Sequence, residues 1–144
     1  MKIALASDHA GFRYKGLLRG WLEDLGHEVH DLGCHVPDQC DYPDFVVPLA
    51  KAIANREFDR GIVLGGSGNG EAMAANRVKG VRCALCWTPE VARLSRRHNN
   101  ANVLSLGERL LTWEEVTHIV AAWLEEPFDG ERHVRRIEKL DELT

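Results

Sequence analysis

Gly61–Asn76 reads GIVLGGSGNGEAMAAN. An apolar run, Gly61–Leu64, breaks into Gly65-Gly66-Ser67-Gly68-Asn69-Gly70. Glu71 follows, and Ala72-Met73-Ala74-Ala75 is a strong helix former. This is the pattern of a buried strand, a glycine loop and a helix start. Glycines let the chain turn sharply and let a ligand approach the main-chain N–H groups. The first turn of a helix leaves its N–H groups unpaired, so anions settle there. Glu71 therefore stands as a carboxylate beside a place suited to negative charge. The loop lacks the Lys of a Walker P-loop. It also misses the GxGxxG spacing, because after Gly66 and Gly68 the third glycine, Gly70, comes one place early. A nucleotide reading is weak. A plain turn that needs positive φ is the structural alternative.

At the N-terminus, Lys2–Ala6 reads as a first strand, ending in the polar turn Ser7-Asp8-His9-Ala10-Gly11. Gly11–Leu25 carries Phe12, Leu17, Leu18, Trp21, Leu22 and Leu25 at helical spacing, with Gly26 at its end. His27–Leu32 is a short second strand, and Gly33–Asp44 is a loop. Asp44 is a candidate cap for a helix Phe45–Asn55, which puts Pro48 in the first turn, where proline is tolerated. Phe58–Leu64 is the third strand and Val81–Cys86 the fourth. Thr88 is the expected N-cap, with Pro89 at N1, of a helix running to about His98. Asn102–Leu106 is the fifth strand, with Gly107-Glu108-Arg109 as its exit turn. Thr112 and Glu115 form a capping box for Trp113–Leu124. Pro127–Gly130 breaks the chain before a charged last helix, Glu131–Leu143.

Strands alternating with helices predict an α/β fold, a parallel doubly wound sheet with helices on both faces. Ligands of such sheets bind beyond the carboxyl ends of the strands. Asp8-His9, Gly65–Glu71 and Gly107–Arg109 then share one sheet edge.

The 144 residues suit one domain, spanning 1–144, with a full core. The net charge of −4 argues against nucleic acid as a partner. No 18-residue apolar run exists, so no membrane helix is expected. Asp8 and His9 interrupt what would be a secretory leader. Cys34, Cys40, Cys83 and Cys86 match no zinc spacing, and Cys83 and Cys86 should point to opposite faces of a strand. Reduced thiols in the cytoplasm are expected.

The polar candidates each have a plainer reading. Asp8 could act only as a helix N-cap, which leaves His9 unexplained. His98, ahead of Asn99 and Asn100, could simply face a helix C-terminus. Arg132 and Arg136 are four apart on one helix face and could reach one anion, or could belong to a solvated face with Glu131, Glu138 and Asp141. Arginine forks match phosphate well. One carboxylate base, Asp and His helpers, an N–H cradle and arginines together suit proton abstraction beside the carbonyl of a phosphorylated substrate.

Nearly the whole chain resembles the ribose-5-phosphate isomerase B family, which includes galactose-6-phosphate isomerase subunits. The resemblance rests on IALASDHAGF (Ile3–Phe12), DYPDF (Asp41–Phe45), GGSGNGEAMAANRVKGVR (Gly65–Arg82), HNNANVLSLGER (His98–Arg109) and the tail Arg132–Arg136. It implies a Rossmann-like three-layer αβα sandwich with a five-stranded parallel sheet and an extra C-terminal helix. It implies a homodimer or tetramer with active sites shared between subunits, and aldose–ketose isomerisation of sugar phosphates without metal or cofactor. Many members carry Cys and Thr in the loop, with the Cys as base. This chain has Gly65 and Ser67 there, like a second branch that uses the glutamate after the loop. The resemblance thus implies Glu71 as base, Ser67 in the catalytic loop, and His98 as the acid that opens the furanose ring. It implies that Asp8, His9, Gly66, Ser67, Gly68, Asn69, Gly70, Asn99, Arg109, Arg132 and Arg136 bind substrate. The loop N–H groups would stabilise the enediolate, and the arginines would take the phosphate. Ribose 5-phosphate is the expected substrate. Allose 6-phosphate or galactose 6-phosphate, a non-catalytic sugar-phosphate binder, and a flavodoxin-like nucleotide binder are the alternatives.

Overall fold

A computed structural model describes residues 1–143. The strands are β1 (Lys2–Ser7), β2 (Glu28–Asp31), β3 (Arg60–Gly65), β4 (Cys83–Leu85) and β5 (Val103–Gly107). The helices are α1 (Phe12–Asp24), α2 (Pro43–Ala54), α3 (Asn69–Ala75), α4 (Pro89–Asn99), α5 (Trp113–Glu125) and α6 (Arg132–Asp141). All strands run parallel in one sheet of order β2-β1-β3-β5-β4.

The alternation within the strands explains the layers. Ile3, Leu5, Ile62, Leu64, Leu104 and Leu106 face one side, where Leu18 and Leu22 of α1, Ala92 of α4 and Ile119 and Trp123 of α5 cover them. Ala4, Ala6, Val63 and Val103 face the other side, against Val46, Leu49 and Ile53 of α2 and Ala75 of α3. Both faces are therefore buried, as parallel sheets require. Each fully buried large aliphatic side chain contributes about 1.5–3 kcal/mol. The sheet offers small side chains to α2, and a Cβ on Gly61 would stand 2.7 Å from Leu49 Cδ2.

The expected caps at Thr88 and Thr112 are present. Thr88 accepts the Val91 N–H, and Thr112 and Glu115 exchange both bonds of a capping box. Helix α2 departs from expectation. It starts at Pro43, with Tyr42 at the N-cap position and no side-chain cap, so Asp44 lies within the first turn and Pro48 deep inside the helix. The physical reason is Pro43. Its fixed φ and missing N–H suit N1, so the helix begins there rather than after Asp44. Strand β4 is also shorter than the apolar run. At its start the Arg82 N–H is taken by the Asn102 side chain at 2.8 Å, and this side-chain bond replaces the first rung of the ladder. Cys83 packs with the α2–α3 layer and Cys86 with the other layer, on opposite faces as expected.

Candidate active site

The strand order reverses between β1 and β3, since the chain runs outward from β1 to β2 and then returns to the far side of β1. Crevices at such switch points, beyond the carboxyl ends of the strands, are where open α/β sheets bind ligands. Asp8 follows β1 here, and the glycine loop follows β3.

Asp8 is buried. Its Oδ1 accepts the N–H groups of Ala10 at 2.9 Å and Gly11 at 3.2 Å, capping a 3-10 turn over His9–Gly11. Capping is thus one of its roles. That turn lies flat on β3, where a Cβ on Gly11 would stand 2.5 Å from the Leu64 carbonyl. His9 Nδ1 accepts the Cys40 N–H at 3.3 Å, which leaves the ring proton on Nε2 in the neutral form.

The glycine loop is held through its carbonyls. Gly65 O and Gly66 O accept the N–H groups of Glu108 and Arg109, and Gly68 O accepts the Ser105 hydroxyl at 2.7 Å. The C=O and N–H of one peptide unit point opposite ways. The Gly66 and Ser67 N–H groups therefore face away from β5. Gly68 has φ of +83° and opens α3, a backbone state that glycine adopts without strain. Ser67 Oγ accepts both N–H donors of Asn69, the main-chain one at 3.3 Å and the side-chain one at 3.0 Å. Its own hydroxyl proton stays available. Arg109 is exposed and lies across Gly66, its Nη1 3.2 Å from where a Cβ would be.

Glu71 is 3% exposed, on the first turn of α3. Its carboxyl fills the volume beside Gly65, and a Cβ there would overlap both of its oxygens. Burial holds the Glu71 carboxyl above the usual carboxylate range, and the neighbouring Asp8 charge and hydrogen bond push the same way. A carboxyl with raised proton affinity in a crevice is a good proton acceptor at neutral pH. The Cys83 thiol is driven far up by burial, and Cys86 is pushed up to about 11, so neither is a thiolate at neutral pH. All four cysteines are free.

Tyr42 completes this edge and was not among the expected site residues. A Cβ on Gly70 would stand 2.5 Å from its ring and 2.9 Å from its hydroxyl. The signal was Pro43, which places Tyr42 at the mouth of α2.

His98, Asn99, Arg132 and Arg136 are elsewhere. Helix α4 runs back from the carboxyl edge and ends where the strands begin. The Asn99 carbonyl accepts from Arg82, just before β4, at 2.9 Å. His98 stacks on the buried His133 of α6, ring centroids 4.6 Å apart at 18°. Burial, Arg132, His98 and Arg136 together hold His133 below the usual histidine range. Arg132 and Arg136 are exposed on α6 and form no ion pair among the described residues. Within one chain, Arg109 therefore does not converge with them on a single anion.

Ligand atoms of His98, Asp129 and His133 lie within 4.8 Å of one another. The stacking speaks against a metal centre, because imidazole lone pairs lie in the ring planes. One ion cannot lie in two nearly parallel planes. A groove of about 660 Å³ runs along edge strand β4, lined mainly by Val81, Leu85, Val91, Leu94 and Leu140, with Asn99 and Asp141 also on its wall, and it lies apart from Glu71. No described helix is long and apolar enough to cross a membrane.

Known proteins are similar to this chain in sequence and fold over nearly its whole length. The family model for ribose/galactose isomerases matches residues 3–140. Ribose-5-phosphate isomerase B of Mycolicibacterium paratuberculosis is 45% identical over 144 residues, covering 99% of this chain and 91% of that protein. The Escherichia coli protein of the same name is 40% identical, covering 96% and 93%. The solved Clostridium thermocellum ribose-5-phosphate isomerase B superposes with a TM-score of 0.98 at 44% identity, covering 99% and 97%. That of Mycoplasma genitalium, solved with bound ribulose 5-phosphate, gives 0.94 at 42% identity, covering 99% and 95%. A glycine loop at the switch point, a buried carboxyl beside it and full-length matches on both sequence and fold lead to one assignment: the chain belongs to the ribose/galactose isomerase family.

Proposed function

We propose that this chain is a sugar-phosphate isomerase that interconverts ribose 5-phosphate and ribulose 5-phosphate through an enediolate. The observation that carries the reading is the buried Glu71 carboxyl beside Gly65, at the mouth of the glycine loop. Full-length relatives named ribose-5-phosphate isomerase B favour the pentose phosphate, as does a close structural match that holds ribulose 5-phosphate.

Glu71 takes the proton from C2 of the open-chain aldose. The electron pair of the broken C–H bond forms the C1–C2 double bond, and negative charge moves onto the carbonyl oxygen. The N–H groups of Gly66 and Ser67 and the Ser67 hydroxyl stabilise that charge. The O2 hydroxyl proton passes to O1 as the C2 carbonyl forms, and Glu71 returns its proton to C1, giving the ketose. Asp8 and His9 hold sugar hydroxyls, with Asn69 and the remaining loop glycines shaping the cradle. Arg109, Arg132 and Arg136 bind the phosphate, and His98, with Asn99 beside it, donates the proton that opens the furanose ring.

A second copy of the chain completes the site in this reading. Glu71 and Arg109 lie at one sheet edge and His98, Arg132 and Arg136 at the other, so one chain cannot bring them together. The apolar groove along β4 offers surface for such a partner.

The test is turnover of ribose, allose and galactose phosphates side by side. Fast formation of ribulose 5-phosphate from ribose 5-phosphate is expected. Binding of all three sugars without turnover would make the protein a sensor, and faster turnover of a hexose phosphate would reassign the substrate.

A further inference from the structure

Strands β1 and β3 pair in register up to Ser7 and Leu64, so Asp8 and Gly65 are the next neighbours across the sheet. Gly65 has no side chain, and the Glu71 carboxyl occupies that space. Two carboxyls thus stand side by side, Asp8 at 8% exposure and Glu71 at 3%. Asp8 Oδ1 is committed to the Ala10 and Gly11 N–H groups. Two adjacent buried carboxyls do not both ionise readily. Burial and the Asp8 neighbour both raise the proton affinity of Glu71, so the pair's last proton is held there.

We propose that Asp8 and Glu71 act as one unit that holds a single proton between their carboxyls, Asp8 being a positioning residue that makes Glu71 a stronger base. This rests on the reading of Glu71 as the base. The working state is the pair after that proton has left. It takes one proton from the sugar carbon, holds it as the singly charged pair, and returns it to the adjacent carbon. No net proton enters or leaves. The direction in which the Glu71 carboxyl is displaced agrees, since burial and Asp8 both raise its proton affinity.

Other groups face this pair. His9 follows Asp8 and is tied to the Cys40 N–H. Arg109 reaches over from the end of β5, on the exposed side of Gly66, where solvent screens it. Tyr42 comes from α2, and Cys83 of β4 stays a neutral thiol. None of them is a buried cation that would weaken the pair's hold on its last proton.

Asp8→Asn tests the pairing, because its amide oxygen can keep the cap while the charge is lost. The acid limb of the kcat–pH profile should move to lower pH by about one pH unit or more. The plateau should fall roughly tenfold as the base weakens. Carbon-13 labelling of glutamate carboxyls reads the pair directly, without turnover. Glu71 in the wild-type protein should titrate in two steps, and in Asp8→Asn in one lower step. A single step near the ordinary glutamate value, unmoved by Asp8→Asn, would overturn the pairing. So would loss of activity with an unmoved acid limb, since Asp8 would then only bind substrate or hold the turn. Glu71→Gln separates the two readings. If that variant turns over normally, the base assignment fails, whatever the titration shows.

Discussion

The Glu71 carboxyl stands where a side chain on Gly65 would have to be. The two positions therefore cannot both carry a side chain into this crevice. Gly65→Ala should expel the carboxyl. The backbone there is ordinary strand, and Gly65 is not among the residues with positive φ, so the fold should survive. We expect turnover to fall on the order of 10². Measured kcat with an unchanged circular dichroism spectrum checks this, and an active Gly65→Ala enzyme would show that the carboxyl works from another position.

Glu71→Gln keeps the shape and removes the proton acceptor. Turnover should drop by about 10² to 10⁴, with substrate affinity largely kept. Titration with ribulose 5-phosphate by calorimetry separates the two effects. Normal turnover in this variant would rule Glu71 out as the base.

The same substitution should stabilise the protein at neutral pH. Glu71 binds its proton more tightly folded than unfolded, because burial and Asp8 raise its folded-state affinity. As pH rises from the ordinary glutamate value toward the raised one, the unfolded chain loses the proton first. Stability therefore falls across that window. Each tenfold gain in proton affinity on folding is worth about 1.4 kcal/mol. Glu71→Gln should accordingly raise Tm by roughly 3 °C or more at pH 7 and by nothing near pH 3. A Tm difference independent of pH would contradict the linkage.

Cysteine chemistry should be dispensable. Cys83 and Cys86 are both pushed up by burial, and neither is a thiolate at neutral pH. Cys83→Ala and Cys86→Ala should lose some stability, yet the folded fraction should keep its specific activity. Active-site titration normalises for the folded fraction. An inactive, fully folded variant would point to a thiol in the reaction.

The shared site predicts complementation. Impaired Glu71→Gln and Arg136→Ala subunits, mixed and allowed to exchange, should regain activity above either parent, because one of the two sites in each mixed dimer is intact. The Arg136→Ala protein alone should show a raised KM and a lowered kcat, since the phosphate anchors the reacting end. Proven exchange with no return of activity would place both residues in a site made by one chain.

Much of this was legible in the residues. The run Gly61–Leu64 into four glycines and Glu71 specified a strand, a glycine loop and a helix start, because these are local backbone demands. Strands alternating with helices along the chain specified a parallel sheet with helices on both faces. Thr88-Pro89 and Thr112 with Glu115 marked helix starts through bonds that span only three residues. The start of α2 was misplaced because two local signals competed, and Pro43 at N1 outweighed Asp44 as a cap.

What the local signals did not contain is who meets whom across the sheet. Asp8 and Glu71 become neighbours only because β1 pairs with β3 in one register, and Tyr42 reaches Gly70 only because α2 and α3 share a face. His98 and Arg109 both flank β5 in sequence, yet stand at opposite edges. A helix between parallel strands must return the chain to the starting edge, so the end of α4 lies where β5 begins. Periodicity and capping are settled within a few residues of chain. Register, strand order and the convergence of side chains depend on contacts between distant segments, and those are decided by the packed structure.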